Sequence, residues 1–207
     1  MIMLGLPRST EVNHRVQKEK LYTHATLTPP TREKIKDQVK VVIWRNKLAD
    51  STMGISAGEA IQEIQVFEVQ LRQRELDKRV LPAITKAIPY KVLFILVFGG
   101  EAQAWIEASG MFYHTDWVAA DGFTLPFEGL NLDAMYANLA RYISGGRLGA
   151  DGDIEEAVDR DKQRQKIERN IATLEKKLLR EKQLNRQVEM NGELKRLKNE
   201  LEGLTHV

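Results

Sequence analysis

Cysteine is absent from the chain. Its absence excludes disulfides, thiolate zinc sites, iron–sulfur ligation and cysteine nucleophiles. Histidine is nearly as scarce. His14, His24, His114 and His206 are scattered singly, too sparse for a histidine metal cage, although an all-carboxylate magnesium site stays open. No apolar run approaches the length of a membrane span, and the longest, "VLFILVF", is the size of a strand. The N-terminus lacks the charged-then-apolar pattern of a secretory signal, so the expectation is a cytoplasmic protein without membrane association. A charge excess is missing too. The net charge of +2 over 207 residues sets up no global field toward nucleic acid, and any basic footprint must be local. Nor does the chain contain GxGxxG, GxxxxGK[ST], HExxH or GxSxG, so nucleotide loops, zincin chemistry and hydrolase elbows lose their usual support.

What is present is patterned. The polar, proline-punctuated start predicts an extended arm with a short helix around residues 11–22. Thr28 before Pro29 and Pro30 reads as the start of a second short helix through "TREKIKDQV". "VKVVIWRNKL" and "EIQVFEVQL" are rich in β-branched and aromatic residues, as strands require, with the loop-like "ADSTMGISAGEA" between them. "RELDKRVLPAITKAI" sets Leu76, Val80 and Ile84 on one helical face, and Pro82 predicts either a kink or a late start. "KVLFILVF", Gly99-Gly100 and "EAQAWIEA" make a hairpin. "NLDAMYANLARYI" is an amphipathic helix with Asn131 as its cap. "SGGRLGADGD" has linker composition, and no proline follows it. The expected fold is α/β (α+β): a mixed β-sheet flanked by helices over residues 1–150, then a coiled-coil arm or helical hairpin over residues 151–207.

The arm carries two apolar seams that do not join. Ile167, Ile171, Leu174 and Leu178 are spaced four, three, four, and Met190, Leu194, Leu197, Leu201 and Leu204 repeat four, three, four, three. A continuous helix would set the second stripe about 130° around from the first. Leu184 and Val188 fall on neither. Either the helix breaks near Asn191-Gly192, or different lengths of it meet different partners. Association with a second copy or another protein is the expectation; packing on its own globular part is the alternative. Arg160, Lys162, Arg164, Lys166 and Arg169 follow in quick succession, as a phosphate-contacting edge or as an ordinary solvated face.

Three constellations would carry chemistry. In the first strand, alternation puts Arg45 and Lys47 on one face; in the second, Glu68 ends an apolar face. With Asp50, Lys47 and Glu68 would form a divalent-ion site, the carboxylates gripping Mg2+ and the lysine steadying an attacking water, as in PD-(D/E)XK-type nucleases. That pattern wants a lysine two residues after the strand carboxylate, where Gln70 stands, and a salt bridge at the sheet edge is the competing reading. His114 and Asp116 would make a proton-transfer pair on a strand, against an ordinary hydrogen-bonded histidine. Trp105, Phe112, Tyr113 and Trp117 would offer a base-stacking platform, or simply core.

Several segments, in order, resemble bacterial domain-of-unknown-function family 4391: "LPRSTEVNHRVQKEKLY", "IWRNKLADSTMGI", "IQVFEVQL", "VLPAITKAIPYKVLFIL", "LNLDAMYANL" and "EKQLNRQVEMNGELKRLKNEL". The pattern singles out Leu6, Pro7, Thr10, Asn13 and Lys18, then Trp44, Lys47, Leu48 and Thr52, then Glu181, Gln183, Asn185 and Asn191. Gly54 departs from it where the family tends to have asparagine, and Pro82 interrupts a helix. The resemblance implies association with helicase and DNA-methyltransferase genes of restriction-like or phage-defence clusters. Gln183, Asn185 and Asn191 are expected to hydrogen-bond across a helix–helix junction and fix its register. The function expected is a non-catalytic accessory subunit without cofactor. It would dock a helicase or methyltransferase, form a homo-oligomer through its C-terminal helices, and touch nucleic acid at most indirectly. The alternative is a Mg2+-dependent nuclease using Asp50, Glu68 and Lys47.

Overall fold

The computed structural model of the chain describes residues 4–24 and 27–205. They form two compact units, divided at Ala150. The first is built on a mixed sheet of seven strands. β1 (Glu11–Val16), β2 (Val39–Leu48), β3 (Ile64–Leu71), β4 (Lys91–Phe98), β5 (Glu101–Ala108) and β6 (Met111–His114) cross it in chain order. β7 (Val118–Ala119) pairs with β5. Every neighbouring pair is antiparallel except β3 and β4. A parallel pair needs a crossover, and α4 (Val80–Thr85) lies on it. The helix starts late, which places Pro82 in its first turn, where a missing N–H takes nothing from the ladder.

Alternation gives the sheet two faces. On one, Val42, Phe67, Val69, Phe94 and Leu96 are buried with Ile35 of α2 (Pro29–Gln38) and Val80 and Ile84 of α4. On the other, the small Ala102, Ala104 and Ala108 of β5 leave room for α5 (Leu132–Ile143). Its Leu132, Met135, Leu139 and Ile143 are fully buried, each contributing about 1.5–3 kcal/mol of apolar transfer. Asn131 caps α5, accepting the Ala134 N–H at 2.9 Å.

Two local expectations change. Residues 11–16, expected within a short helix, form the edge strand β1, and α1 (Lys18–His24) begins only after them. Pairing with the open edge of β2 outweighs local helix propensity, and a register shift between Glu11 and His14 absorbs the misfit, with Asn13 at a φ of 51°. The loop after β2 contains one turn of helix, α3 (Asp50–Met53). Gly54 ends it in the left-handed region at a φ of 65°, a conformation that glycine and asparagine both adopt readily.

The second unit is a pair of helices, α6 (Ile154–Leu178) and α7 (Leu184–Thr205), joined by residues 179–183. Asp153 caps α6, accepting the N–H groups of Glu155 and Glu156 at 2.8 and 3.0 Å. With so short a link the helices can pack along each other only by running antiparallel. Ile167, Ile171, Leu194 and Leu197 form their common core, flanked by Leu174, Leu178, Leu201 and Leu204. The break therefore falls at residues 179–183 and not near Asn191-Gly192, which lies inside α7. Once the chain turns back after Leu178, both apolar stripes face each other. Their burial outweighs the roughly 1 kcal/mol that a glycine costs inside a helix. Among the described residues no helix is long and apolar enough to cross a membrane.

Candidate functional site

The polar residues of β2 and β3 are sorted by one bulge. The register between these strands shifts between Trp44 and Asn46, with Arg45 as the extra residue. A bulge of one residue reverses the faces beyond it. Lys47 consequently lies opposite Gln65, on the side of Phe67, whereas Glu68 lies opposite Ile43 on the other side. Lys47 pairs with Glu63 at 2.6 Å, and this hydrogen-bonded carboxylate holds the amine's pKa above the usual lysine value. Glu68 is buried, meets Arg45 at 3.6 Å and accepts a hydrogen bond from Gln70 at 2.8 Å. Asp50 begins α3 and is exposed. Lys47 and Glu68 are thus on opposite faces, each engaged elsewhere, and the expected Asp50–Glu68–Lys47 set is not brought together. No group of three metal-ligating side chains converges among the described residues.

The other pairings also resolve locally. β6 ends at His114, so Asp116 lies beyond the strand that would have aligned the two. His114 instead lies against Trp105, ring centroids 4.4 Å apart, with its Nδ1 2.9 Å from the Thr115 carbonyl. Trp105, Phe112 and Trp117 pack on the core of the face covered by α2 and α4, while Tyr113, which alternates with Phe112, is buried on the opposite one. The basic run of α6 is largely neutralised by carboxylates one turn away. Arg160 pairs with Glu156 at 3.7 Å, Lys162 with Asp159 at 2.9 Å and Arg164 with Asp161 at 2.8 Å. Arg169 donates to the Gln165 carbonyl at 3.1 Å, and Lys166 is exposed.

In the arm, Glu175 and Lys198 pair at 2.9 Å between the two helices. The link turns at once: the Leu179 N–H donates to the Glu175 carbonyl at 3.1 Å and the Arg180 N–H to the Lys177 carbonyl at 3.0 Å. At the start of α7 Leu184 is 72% exposed and Val188 63%, and Leu179 in the link is 87% exposed. Leu184, Val188 and Asn191 are spaced four and three, one unpartnered seam. Gln183, Asn185 and Asn191 are all exposed, so the expected polar junction is not formed within the chain. Glu181 holds the turn instead. Its carboxylate accepts the N–H groups of Lys182 and Gln183 at 2.8 and 2.9 Å, and its carbonyl accepts from the Gln187 side chain at 2.7 Å. The two N–H groups, Gln183 first, pull the Glu181 carboxyl below the usual carboxylate range.

β1 ends, β2 begins and β3 ends at the same edge of the sheet, where Val16 pairs with Val42 and Val39 with Leu71. There Arg15, Lys18, Lys40 and Arg72 line a groove of about 810 Å³, with Glu19 the one carboxylate among its lining residues. A second register shift in β2, between Val39 and Val41, leaves Lys40 without a cross-strand partner. Lys18 donates to the Val39 carbonyl. Its amine is held below the usual lysine pKa, first by burial and then by the charges of Arg72 and Arg15, with Glu19 opposing. No run of basic residues announces this groove, because its cations come from β1, the start of α1, β2 and the residue after β3.

A family profile, Domain of unknown function (DUF4391), matches residues 4–201. The chain belongs to the DUF4391 family. No curated protein matches it, and no solved structure does.

The residues that carry the DUF4391 resemblance tie the N-terminal segment onto β2. Thr10 is fully buried, donating to the Pro7 carbonyl at 2.6 Å and accepting from Asn46 at 2.9 Å. The Trp44 indole donates to the Asn46 carbonyl at 3.1 Å. Thr52 donates to the Lys47 carbonyl at 2.8 Å and accepts the Ala49 N–H at 2.9 Å, while Ser9 donates to the Thr52 carbonyl at 2.6 Å. In this DUF4391 chain the loop around Thr52 is thus a fastening point, with the Thr52 and Ser9 hydroxyls engaged in holding backbone.

Proposed function

We propose that this DUF4391 protein is a cytoplasmic, non-catalytic accessory subunit of a bacterial restriction-like or phage-defence system. It self-associates through its C-terminal helices and docks a DNA-acting helicase or methyltransferase. The partner class rests on the family's resemblance-based association. The self-association rests on the apolar face at the start of α7. Leu184 and Val188 are 72% and 63% exposed, so a polar residue at either position would cost the chain no buried contact of its own. Exposed apolar patches of this kind mark contact surfaces. The occupant that fits is a second copy: two such segments packed across a two-fold axis would cover Leu184 and Val188 of both, with Asn191 in the seam setting the register.

Light scattering on the full chain tests this. The wild type is expected to show a weight-average mass rising with concentration above the 23.6 kDa of one chain. The double variant Leu184→Glu, Val188→Glu should stay at the monomer mass with an unchanged melting temperature. A wild type that remains monomeric up to about 100 μM, a concentration at which even a weak dimer of about 5 kcal/mol would be populated, defeats the reading.

A further inference from the structure

We infer that the groove formed by Arg15, Lys18, Lys40 and Arg72 binds a nucleic-acid strand by its phosphodiester backbone, without reading sequence. The inference concerns the first unit alone and does not rest on self-association of the arm.

The charge arrangement carries it. The groove's lining residues bring four cations against one carboxylate, a larger positive excess than the +2 of the whole chain. The remainder of the molecule therefore carries no positive excess, and the groove is a local basic footprint of the kind composition alone left open. Its cations are not spoken for. Arg15, Lys40 and Arg72 are exposed and make no ion pair among the described residues. Three unpaired cations around a fourth repel one another, and an incoming polyanion relieves that repulsion.

The backbone geometry holds the charges there. The register shift that turns Lys40 out of the ladder and the pinning of Lys18 to the Val39 carbonyl are built into β2 itself. Arg15 lies in β1 and Lys40 in β2, Lys18 opens α1, and Arg72 follows β3 directly, so all four stand on or next to regular elements. The two guanidinium groups present planar donor forks that match phosphate oxygens, and the two ammonium groups act as point charges beside them. At about 810 Å³ the groove is at the upper end of ligand-site volumes, roomier than one phosphate needs. Its lining offers no aromatic face to stack a base; beside the charged residues stand only Gln17, Val16, Val41 and Val42, so positioning on phosphate is what it can do.

Fluorescence anisotropy with labelled 20-nucleotide single-stranded and duplex DNA, using the full chain at 50, 100 and 200 mM KCl, decides the matter. Binding is expected, with log K falling against log salt at a slope of about −3 for up to four phosphate contacts. Lys40→Glu combined with Arg72→Glu should weaken binding at least tenfold and flatten the slope by about two, at a melting temperature close to wild type. If that double variant does not fold, Arg15→Gln, at an exposed position, should flatten the slope by about one. Lys166→Glu with Arg169→Glu, on the arm, should leave both quantities unchanged. The inference is overturned by no binding at 50 mM KCl, or by loss of binding in the arm variant while the groove variant binds normally. It is equally overturned if polyglutamate or a nucleoside triphosphate displaces the DNA as effectively as unlabelled DNA does. Those outcomes would indicate an acidic protein segment or a small phosphate ligand as the occupant. Light scattering on the same samples reports self-association separately, so the two proposals fail independently.

Discussion

Single residues in this protein are assigned their roles by which way they point, and Glu68 illustrates the consequence. It is a carboxylate with only 7% of its side chain exposed, paired with Arg45 and bonded by Gln70. A buried charge is tolerated because it is paired; removing one partner strands the other. Glu68→Ala is therefore expected to destabilise the first unit by about 3 kcal/mol, measured by urea unfolding. A change below about 1 kcal/mol would mean that Arg45 is satisfied without it. Magnesium at millimolar concentration should leave the wild-type melting temperature where it was, since a ligand that binds the native state raises it. A clear upward shift would revive the metal-dependent reading. Lys47 shows the same logic in reverse: its charge is engaged by Glu63 on the face opposite Glu68.

At the scale of elements, glycine separates the two units in a testable way. A Cβ at Gly129 would come within 2.4 Å of the Met135 backbone nitrogen at the start of α5, a clash that only backbone movement relieves. A Cβ at Gly192, inside α7, meets nothing within 4 Å. Gly129→Ala should lower stability, whereas Gly192→Ala should raise the stability of the arm by about 1 kcal/mol, read by thermal melting followed by circular dichroism. If Gly192→Ala destabilises, that glycine serves a contact not made within the chain. The turn between α6 and α7 has a pH signature. Glu181 has its carboxyl pulled below the usual range by the N–H groups it accepts, so its contribution is complete above the ordinary carboxylate pKa and is lost as pH falls through its lowered value. The difference in arm melting temperature between wild type and Glu181→Gln should accordingly shrink as the pH is taken from about 6 to about 3. A difference that stays constant would remove Glu181 from that role.

For the whole molecule, the two proposals assign separate tasks to separate units: company for the arm, a polyanion for the groove. The variants Leu184→Glu, Val188→Glu and Lys40→Glu, Arg72→Glu should therefore act independently, the first changing mass but not salt slope, the second the reverse. Failure of that separation would mean that assembly and anion binding are coupled. The outline of this division was legible in composition. The α/β class followed from strand-like runs alternating with amphipathic stretches, and the hairpin at Gly99-Gly100 and the Asn131 cap were each readable because they rest on local chemistry. β1 was not readable, since only the open edge of β2 makes residues 11–16 a strand.

Local pattern by itself determined the strands and helices, the two apolar seams of the arm and the absence of thiol chemistry, because each depends on neighbours within a few residues. Where those elements point was decided only in three dimensions. The bulge at Arg45 sent Lys47 and Glu68 to opposite faces. The turn at residues 179–183 set one seam against the other and left Leu184 and Val188 bare. The pairing of β1, β2 and β3 gathered Arg15, Lys18, Lys40 and Arg72 around one groove. In each case the cause is the same: a one-residue change of register, or a reversal of chain direction, moves whole side chains between surfaces while leaving the local periodicity untouched.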